Sequence, residues 1–224
     1  MKKKIALIVC TISVVLLTAA LLVACNGGGN PEKATDVSRS VYALYTGGGE
    51  DFVVSIETGS RENPFIADGK VSGVEDFVEL TVTPLSVNTY EEIAYVVSDG
   101  AENGQTLSGT LTGNTFGEFR TEIPLDFVPA SITLTAGEQT AEFELNDVLE
   151  GKLTSADIVN IAKKRFEERI AAEKAEGKAS REIYVKLITG DRETYYYYVS
   201  FIGEGTDYWA LLVNPTDGTV VSEK

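Results

Sequence analysis

The sequence predicts a mainly β fold, in which an antiparallel β-sandwich is followed by a small α+β module. Between about residues 37 and 146, short runs rich in β-branched and aromatic residues are separated by Gly, Pro, Asn and Asp, and no stretch has the period of a helix. After Thr154 the apolar residues recur at helical spacing, and strand-like runs then return. We therefore expect two packing units, 37–150 and 153–224, with the boundary near Gly151.

Eight runs in the first unit have the alternation and composition of strands. They cover residues 41–45, 52–56, 77–82, 93–97, 106–111, 116–123, 131–135 and 140–145. Turn signals such as Thr58-Gly59 and Asp99-Gly100 end them at the intervals typical of a sandwich. The pattern resembles the immunoglobulin-like sandwich, without the Cys-Trp-Cys core of true immunoglobulin domains.

The second unit begins with a predicted helix. Thr154 and Asp157 have the spacing of a capping box at its start, and Gly177 is a stop signal at its end. The apolar residues at helical spacing between them are Ile158, Ile161, Ala162, Phe166 and Ile170. Strand-like runs follow at 181–189, 194–202, 208–213 and 219–222. This order predicts an antiparallel meander with the helix packed on one of its faces.

The end of the chain is similar to the close of a PepSY domain. It runs from Tyr208-Trp209 through the turn Asp217-Gly218 to Val220. That family places a helix before a small antiparallel sheet, which ends in an aromatic-led strand, a turn with Asp or Asn and Gly, and a strand with valine. The resemblance covers 153–224 and departs from the family by an extra tyrosine-rich strand. It implies an exported accessory role, in some members the modulation of peptidases, and brings no catalytic residues.

The N-terminus has the charge and hydropathy pattern of an export signal. Residues 2–4 are lysines, and the apolar run 5–24 leads into Leu22-Val23-Ala24-Cys25. This ending resembles the bacterial lipobox, where the cysteine is diacylated and the preceding peptide is removed. An uncleaved transmembrane helix is the alternative, since about 20 apolar residues span a bilayer, but the small residues and the lack of a basic cluster after Cys25 favour a signal peptide.

We therefore expect a signal peptide over 1–24, a lipid on Cys25 and a flexible tether over 25–36. The lipid would hold the protein on the extracytoplasmic face of the cell membrane. When extended, the tether spans roughly 36 Å, which is enough to keep a folded body clear of the bilayer.

Composition excludes several classes of active site and partner. The chain has no histidine, which removes Ser-His-Asp and Cys-His catalysis and nearly all catalytic zinc sites. Its two cysteines are Cys10, in the predicted signal peptide, and Cys25, so the mature chain would hold no free thiol, zinc-thiolate site or disulfide. The net charge of −15 disfavours nucleic acid and anionic lipid surfaces as partners. We predict no cofactor and no metal.

The most unusual stretch is a run of four tyrosines. On a strand, Tyr195 and Tyr197 share one face while Tyr196 and Tyr198 share the other. One interpretation is structural, with one pair under the helix and the other covering the open face of the sheet. The alternative is that the outward pair forms an aromatic contact surface, joined by Trp209 or its neighbour 208, for a protein, peptide or glycan at the cell surface.

Acidic side chains provide the other candidates. Segments 57–63 and 99–104 carry carboxylate and amide oxygens that suit Ca²⁺, although neither has EF-hand spacing, and solvated turns account for them as well. Two carboxylates on facing strands would permit glycoside hydrolysis. We expect a non-enzymatic binding role, with peptidase modulation and carboxylate-dependent hydrolysis as the alternatives.

Anchoring can be tested by Cys25→Ala. The substitution should abolish acylation and leave the protein either uncleaved or shed from the cell, because stable attachment depends on the lipid chains. Intact mass and partitioning into a detergent phase measure this directly. A mature wild-type mass that begins before Cys25, with no added lipid, would contradict the prediction.

Overall fold

The computed structural model describes residues 36–224, except 86–89, 115–117 and 205–206. The predicted signal peptide, Cys25 and all of the tether but Asp36 lie outside the described residues. All of these described residues belong to one compact unit. In the described part of the chain, none of the helices is long and apolar enough to cross a membrane.

The described residues confirm the mainly β class, with thirteen strands and two helices. The strands are β1 (Val37–Gly48), β2 (Phe52–Glu62), β3 (Val74–Pro84), β4 (Glu92–Ser98), β5 (Thr106–Thr112), β6 (Phe119–Glu122), β7 (Ser131–Ala136), β8 (Gln139–Glu144), β9 (Asn146–Asp147), β10 (Glu182–Thr189), β11 (Tyr195–Ile202), β12 (Tyr208–Val213) and β13 (Val220–Glu223). The helices are α1 (Ser155–Arg165) and α2 (Glu167–Ala175).

The strands form two sheets. The larger sheet has the order β13-β12-β11-β10-β1-β2-β3-β6, and β9 also pairs with β1. Its pairings are antiparallel except for β1 with β10, which is parallel. The smaller sheet is antiparallel, with the order β5-β4-β7-β8.

The first hydrophobic core lies between the two sheets. The larger sheet contributes Phe52, Val54 and Leu80, and the smaller sheet contributes Ile93 and Leu134, all of them almost fully buried. Every second residue of β4 is buried, as the alternation in the sequence requires for a strand with one face on a core. The predicted sandwich is therefore present.

The second core lies between the helices and strands β10, β11 and β12. The predicted capping box is confirmed, because the Thr154 hydroxyl accepts from the Asp157 N–H at 3.2 Å and the Asp157 carboxylate accepts from the Thr154 N–H at 3.0 Å. The single predicted helix is instead two, since the backbone leaves helical geometry at Phe166. Phe166 is buried, whereas Ile170 is 37% exposed.

The predicted turn at Thr58-Gly59 and the predicted acidic loop 57–63 are both wrong. Strand β2 continues through them to Glu62 and pairs with β1 and β3. A Cβ at residue 59 would come within 2.2 Å of the Ser40 carbonyl oxygen. The glycine is therefore needed for a close approach between strands and does not mark a turn.

Strand β1 belongs to both halves of the predicted division. Val41 packs in the second core, and its N–H donates to the Ser155 hydroxyl at 3.3 Å, while that hydroxyl donates to the Val41 carbonyl. Further along, Tyr45 packs against the first core. The second core thus takes residues from both sides of the boundary near 150, and the larger sheet runs across it. Whether either half folds alone stays a prediction.

Two buried glutamates, Glu182 on β10 and Glu62 at the end of β2, bond to the β2–β3 connection. The Glu182 carboxylate is fully buried and accepts from the Gly69 N–H at 3.5 Å. The Glu62 carboxylate is also buried and accepts from the Ser72 N–H at 2.8 Å. Burial is the largest cause that raises the pKa of Glu182, and the charge of Glu62 adds to it. Ionised Glu182 therefore costs folding free energy at neutral pH.

The cost of ionising buried Glu182 makes the stability of the folded protein depend on pH. Glu182→Gln should remove this contribution to the pH dependence. Because the folded-state pKa of Glu182 lies above the unfolded value, the wild-type free energy of unfolding falls as pH rises through the folded-state pKa. The glutamine keeps an acceptor for Gly69 and carries no charge. Urea unfolding at a series of pH values should show the variant gaining stability relative to wild type as pH rises from about 4.5.

The same substitution at the exposed turn residue Glu138 is the matched control and should leave the pH profile unchanged. A difference between Glu182→Gln and wild type that is independent of pH, or that reverses in sign, would contradict the assignment.

Candidate binding surface

Four partly exposed tyrosines lie on the face of the larger sheet that points away from the helices. Tyr196 and Tyr198 are on β11, Tyr184 on β10 and Tyr208 on β12. We call this set the tyrosine face. The alternate residues of the same strands, such as Val199, pack in the second core beneath α1, which fixes the direction of the four tyrosines.

The other two tyrosines of the run lie on the helix side. Tyr197 is 1% exposed, and its hydroxyl donates to the Leu153 carbonyl at 3.4 Å. Burial raises the pKa of Tyr197 to about 12. Tyr195 is partly exposed at the end of the strand, where burial raises its pKa and the Thr46 side chain hydrogen-bonds to it. This pair belongs to the structural part of the sheet.

Of the two aromatic residues proposed to join the outward pair, Tyr208 does so and Trp209 does not. Trp209 is opposite Phe201 in the β11–β12 register and lies on the helix side. The Trp209 ring centroid is 5.4 Å from that of Phe166. The Arg181 guanidinium lies 4.0 Å from the Trp209 ring centroid. The sequence grouping of Trp209 with Tyr196 and Tyr198 is therefore wrong, because adjacent residues of a strand point to opposite faces.

Two lysines flank the tyrosine face. The Lys186 ammonium lies 5.3 Å from the Tyr198 ring centroid, and the Lys224 ammonium lies 3.9 Å from that of Tyr208. Lys224 also donates a hydrogen bond to the Tyr208 hydroxyl. Burial raises the pKa of Tyr198, so this hydroxyl remains protonated at neutral pH. The face thus combines aromatic rings, a neutral hydroxyl and two cations in a strongly acidic chain.

The β2–β3 connection extends the apolar surface. Phe65 is 44% exposed and its ring centroid lies 5.5 Å from that of Tyr184, in an edge arrangement. Its neighbour Ile66 is 55% exposed. Sequence reasoning missed these residues because they stand in an irregular segment without periodicity. It missed Tyr184 because this residue lies on β10, and only the pairing of β10 with β11 places it beside the tyrosine run.

Facing carboxylates do occur, on β2 and β3. Glu57 and Glu79 are cross-strand partners. Each holds an arginine at 2.5 Å, with Arg39 on Glu57 and Arg120 on Glu79. Burial, the largest cause, raises the pKa of Glu57, while Arg39 lowers it. The arrangement is a cross-strand ion-pair network on the outer face of the sheet.

The acidic segment 99–104 serves the backbone. The Asp99 carboxylate accepts from the Gln105 N–H at 2.9 Å and from the Ala101 N–H at 3.0 Å, and these bonds lower its pKa. This turn geometry accounts for the aspartate without a ligand. Within the described ranges, no group of three or more Asp, Glu, Cys or His side chains is arranged to hold a metal ion.

Comparison with known proteins identifies no relative. No family model matches the chain, and no curated protein or solved structure matches it either.

The two faces of β11 should differ in their contribution to stability. Tyr197→Ala should reduce the free energy of unfolding by about 3–5 kcal/mol, because it leaves a large cavity beneath α1. Tyr196→Ala and Tyr198→Ala should each cost about 1 kcal/mol or less, because solvent already reaches both rings. Denaturant unfolding measures the three values. Similar losses at all three positions would show that both faces are core and would end the case for a contact surface.

Proposed function

We propose that this chain is a lipid-anchored protein of the extracytoplasmic surface that binds a protein, peptide or glycan through the tyrosine face, without catalysing a reaction. The observation that carries the proposal is the partial exposure of four tyrosines on one side of a sheet whose other side is packed under helices. Lys186 and Lys224 flank the rings, and Phe65 extends them.

The chemistry of this face favours contact with a ligand. Aromatic rings bury a large area on binding and lose little conformational entropy, and tyrosine adds a hydroxyl that hydrogen-bonds at the edge of the contact. Exposed apolar surface of this kind is typical of interaction sites. The two cations add attraction for carboxylate or other anionic groups, whereas the net charge of −15 opposes extended polyanions such as nucleic acid.

The N-terminal sequence supports the location. A lipid on Cys25 would attach the chain to the membrane, and the segment up to Asp36 would allow the tyrosine face to reach partners at the cell surface. No nucleic acid, metal or cofactor is needed for this role.

A second candidate is a PepSY-like modulator of an exported peptidase. The order of α1, α2 and the antiparallel strands β10 to β13, with α1 packed on one face of those strands, favours it. The two candidates differ in a peptidase assay, since only a modulator would inhibit an exported peptidase or alter its maturation. Hydrolysis by Glu57 and Glu79 is the third, and would show turnover that is lost on a single substitution of either.

The binding role is tested by cross-linking on intact cells that produce the full chain. Tyr196→Ala combined with Tyr198→Ala should reduce recovery of the wild-type partner by more than about tenfold, because aromatic residues at the centre of a contact contribute about 2 kcal/mol or more. The control is Val128→Ala, which removes a side chain that is 70% exposed elsewhere on the surface. Unchanged recovery in the double variant, with normal anchoring and folding, would contradict the proposal.

A further inference from the structure

A cleft of about 870 Å³ lies between the helices and the sheet, on the side opposite the tyrosine face. Its apolar lining comes from Ile170 and Ala171 on α2, Ile183 on β10, Phe201 on β11 and Trp209 on β12. Clefts of about 300–1,000 Å³ with an apolar lining and a few polar groups are typical of small-molecule sites. Its size and lining are therefore those of a ligand site.

The cleft exists because α2 stands away from the sheet. Helix α1 buries four residues, whereas α2 buries none. Phe166 fixes one end of α2, with its ring centroid 5.3 Å from that of Phe201. At the other end, Arg181 donates two hydrogen bonds to the Glu173 carboxylate, at 2.6 and 2.8 Å. These two anchors hold α2 over the apolar lining without closing it.

The rim of the cleft is cationic, in contrast to the rest of the chain. It is lined by five cations and three carboxylates, namely Lys163, Lys164, Lys174, Lys178, Arg181, Asp36, Glu167 and Glu173. Lys163 pairs with Asp36 at 2.7 Å, and Arg181 pairs with Glu173. Lys178 pairs with Glu176 at 2.8 Å.

Two rim lysines remain for a ligand. Lys164 and Lys174 have no ion pair among the described residues. Both line the cleft beside its apolar residues, where an ammonium group would pair with an anionic ligand atom. Glu167 also lines the cleft without an ion pair among the described residues, so the unpaired lining groups leave an excess of one positive charge. This excess acts on one head group inside the cleft, although the acidic surface as a whole repels anionic membranes.

We propose that this cleft binds a long-chain monocarboxylate, that is, a free fatty acid. The acyl chain would lie against Ile170, Phe201 and Trp209, and the carboxylate would pair with Lys164 or Lys174. The combination of an apolar lining, unpaired ammonium groups and small volume fits a single-chain amphiphile with one acidic head. A folded acidic partner would need a larger surface than this cleft offers.

The cleft lies close in the chain to the predicted lipid anchor, so a nearby bilayer would be the source of the fatty acid. Asp36 lines it, and Cys25 lies eleven residues earlier, at most about 40 Å away when extended. In this respect alone the inference rests on the proposed anchoring, which would keep the cleft close to a bilayer. Binding itself depends only on the described residues.

The test uses Trp209, which is the chain's only tryptophan and lines the cleft. The full chain is placed in nanodiscs of neutral phosphatidylcholine and titrated with dibrominated stearate, whose bromines quench a tryptophan in contact with them. Saturable quenching is expected. The methyl ester, which lacks the charge, should require about tenfold more ligand or show no saturation, because a charge-assisted hydrogen bond is lost.

Substitution of the two unpaired rim lysines tests whether they bind the carboxylate of stearate. Lys164→Gln combined with Lys174→Gln should raise the half-saturation concentration by about tenfold or more, for the same reason. Lys70→Gln, at an exposed lysine that does not line the cleft, is the matched control and should have no effect. Equal quenching by the acid and its ester, together with no change in the double variant, would overturn the proposal, as would no quenching at all.

Two further arms distinguish a free fatty acid from a bilayer lipid and from a peptide. Quenching by brominated phosphatidylcholine in the disc, without added stearate, would mean that the cleft takes a bilayer acyl chain, and would overturn the assignment to a free fatty acid. Displacement of the bound stearate by a short acidic peptide at similar concentration would overturn it in favour of a peptide. Failure of the proposed anchoring would appear separately, as loss of co-elution with the discs.

Discussion

The pairing of β1 on both of its edges is the constraint on which the rest of the structure depends. One edge pairs with β2 along most of its length, and the other pairs with β9 and, in parallel, with β10. Val41 on this strand packs beneath α1, while Tyr45 packs against the sandwich core. The two cores are thereby fixed to one sheet, since the parallel pairing of β1 with β10 joins segments that are more than a hundred residues apart.

The two sides of the larger sheet differ in what covers them. The inner side is covered by the smaller sheet at one end and by the helices at the other. The outer side carries arginine–carboxylate pairs such as Arg39 with Glu57 and continues into the tyrosine face. The Arg39 guanidinium lies 5.6 Å from the ring centroid of Tyr184, so the ionic and aromatic parts meet at the β1–β10 junction. The outer side is open along β10 to β12, and the proposed contact with a partner is based on this opening.

Local chemistry made much of this fold predictable. Alternation located nearly every strand, and the spacing of Thr154 and Asp157 located the start of α1, because each signal depends on residues close together in sequence. Alternation also separated Tyr197 from Tyr196 and Tyr198. The same rule separates Tyr208 from Trp209, but the choice between them needs the β11–β12 register, which pairs Tyr208 with Ile202 and Trp209 with Phe201.

What the sequence did not show depends on distant contacts. Gly59 has the composition of a turn, yet it allows β1 to approach β2, and only the Ser40 carbonyl reveals this. At the break between α1 and α2, the ring of Phe166 packs against those of Phe201 and Trp209, which come from strands 35 and more residues later. The cleft beneath α2 depends on Arg181, which pairs with Glu173 on α2 and with Asp207, directly before β12. No local pattern encodes these contacts.

The central claim is that the tyrosine face is covered by a partner at the cell surface. Hydroxyl-radical footprinting of the full chain, on intact cells and after purification, measures this most directly. The account predicts that Tyr196 and Tyr198 are oxidised in the purified protein and protected on the cell, while buried Tyr197 is unmodified in both samples. Equal oxidation of Tyr196 and Tyr198 in the two samples would contradict it.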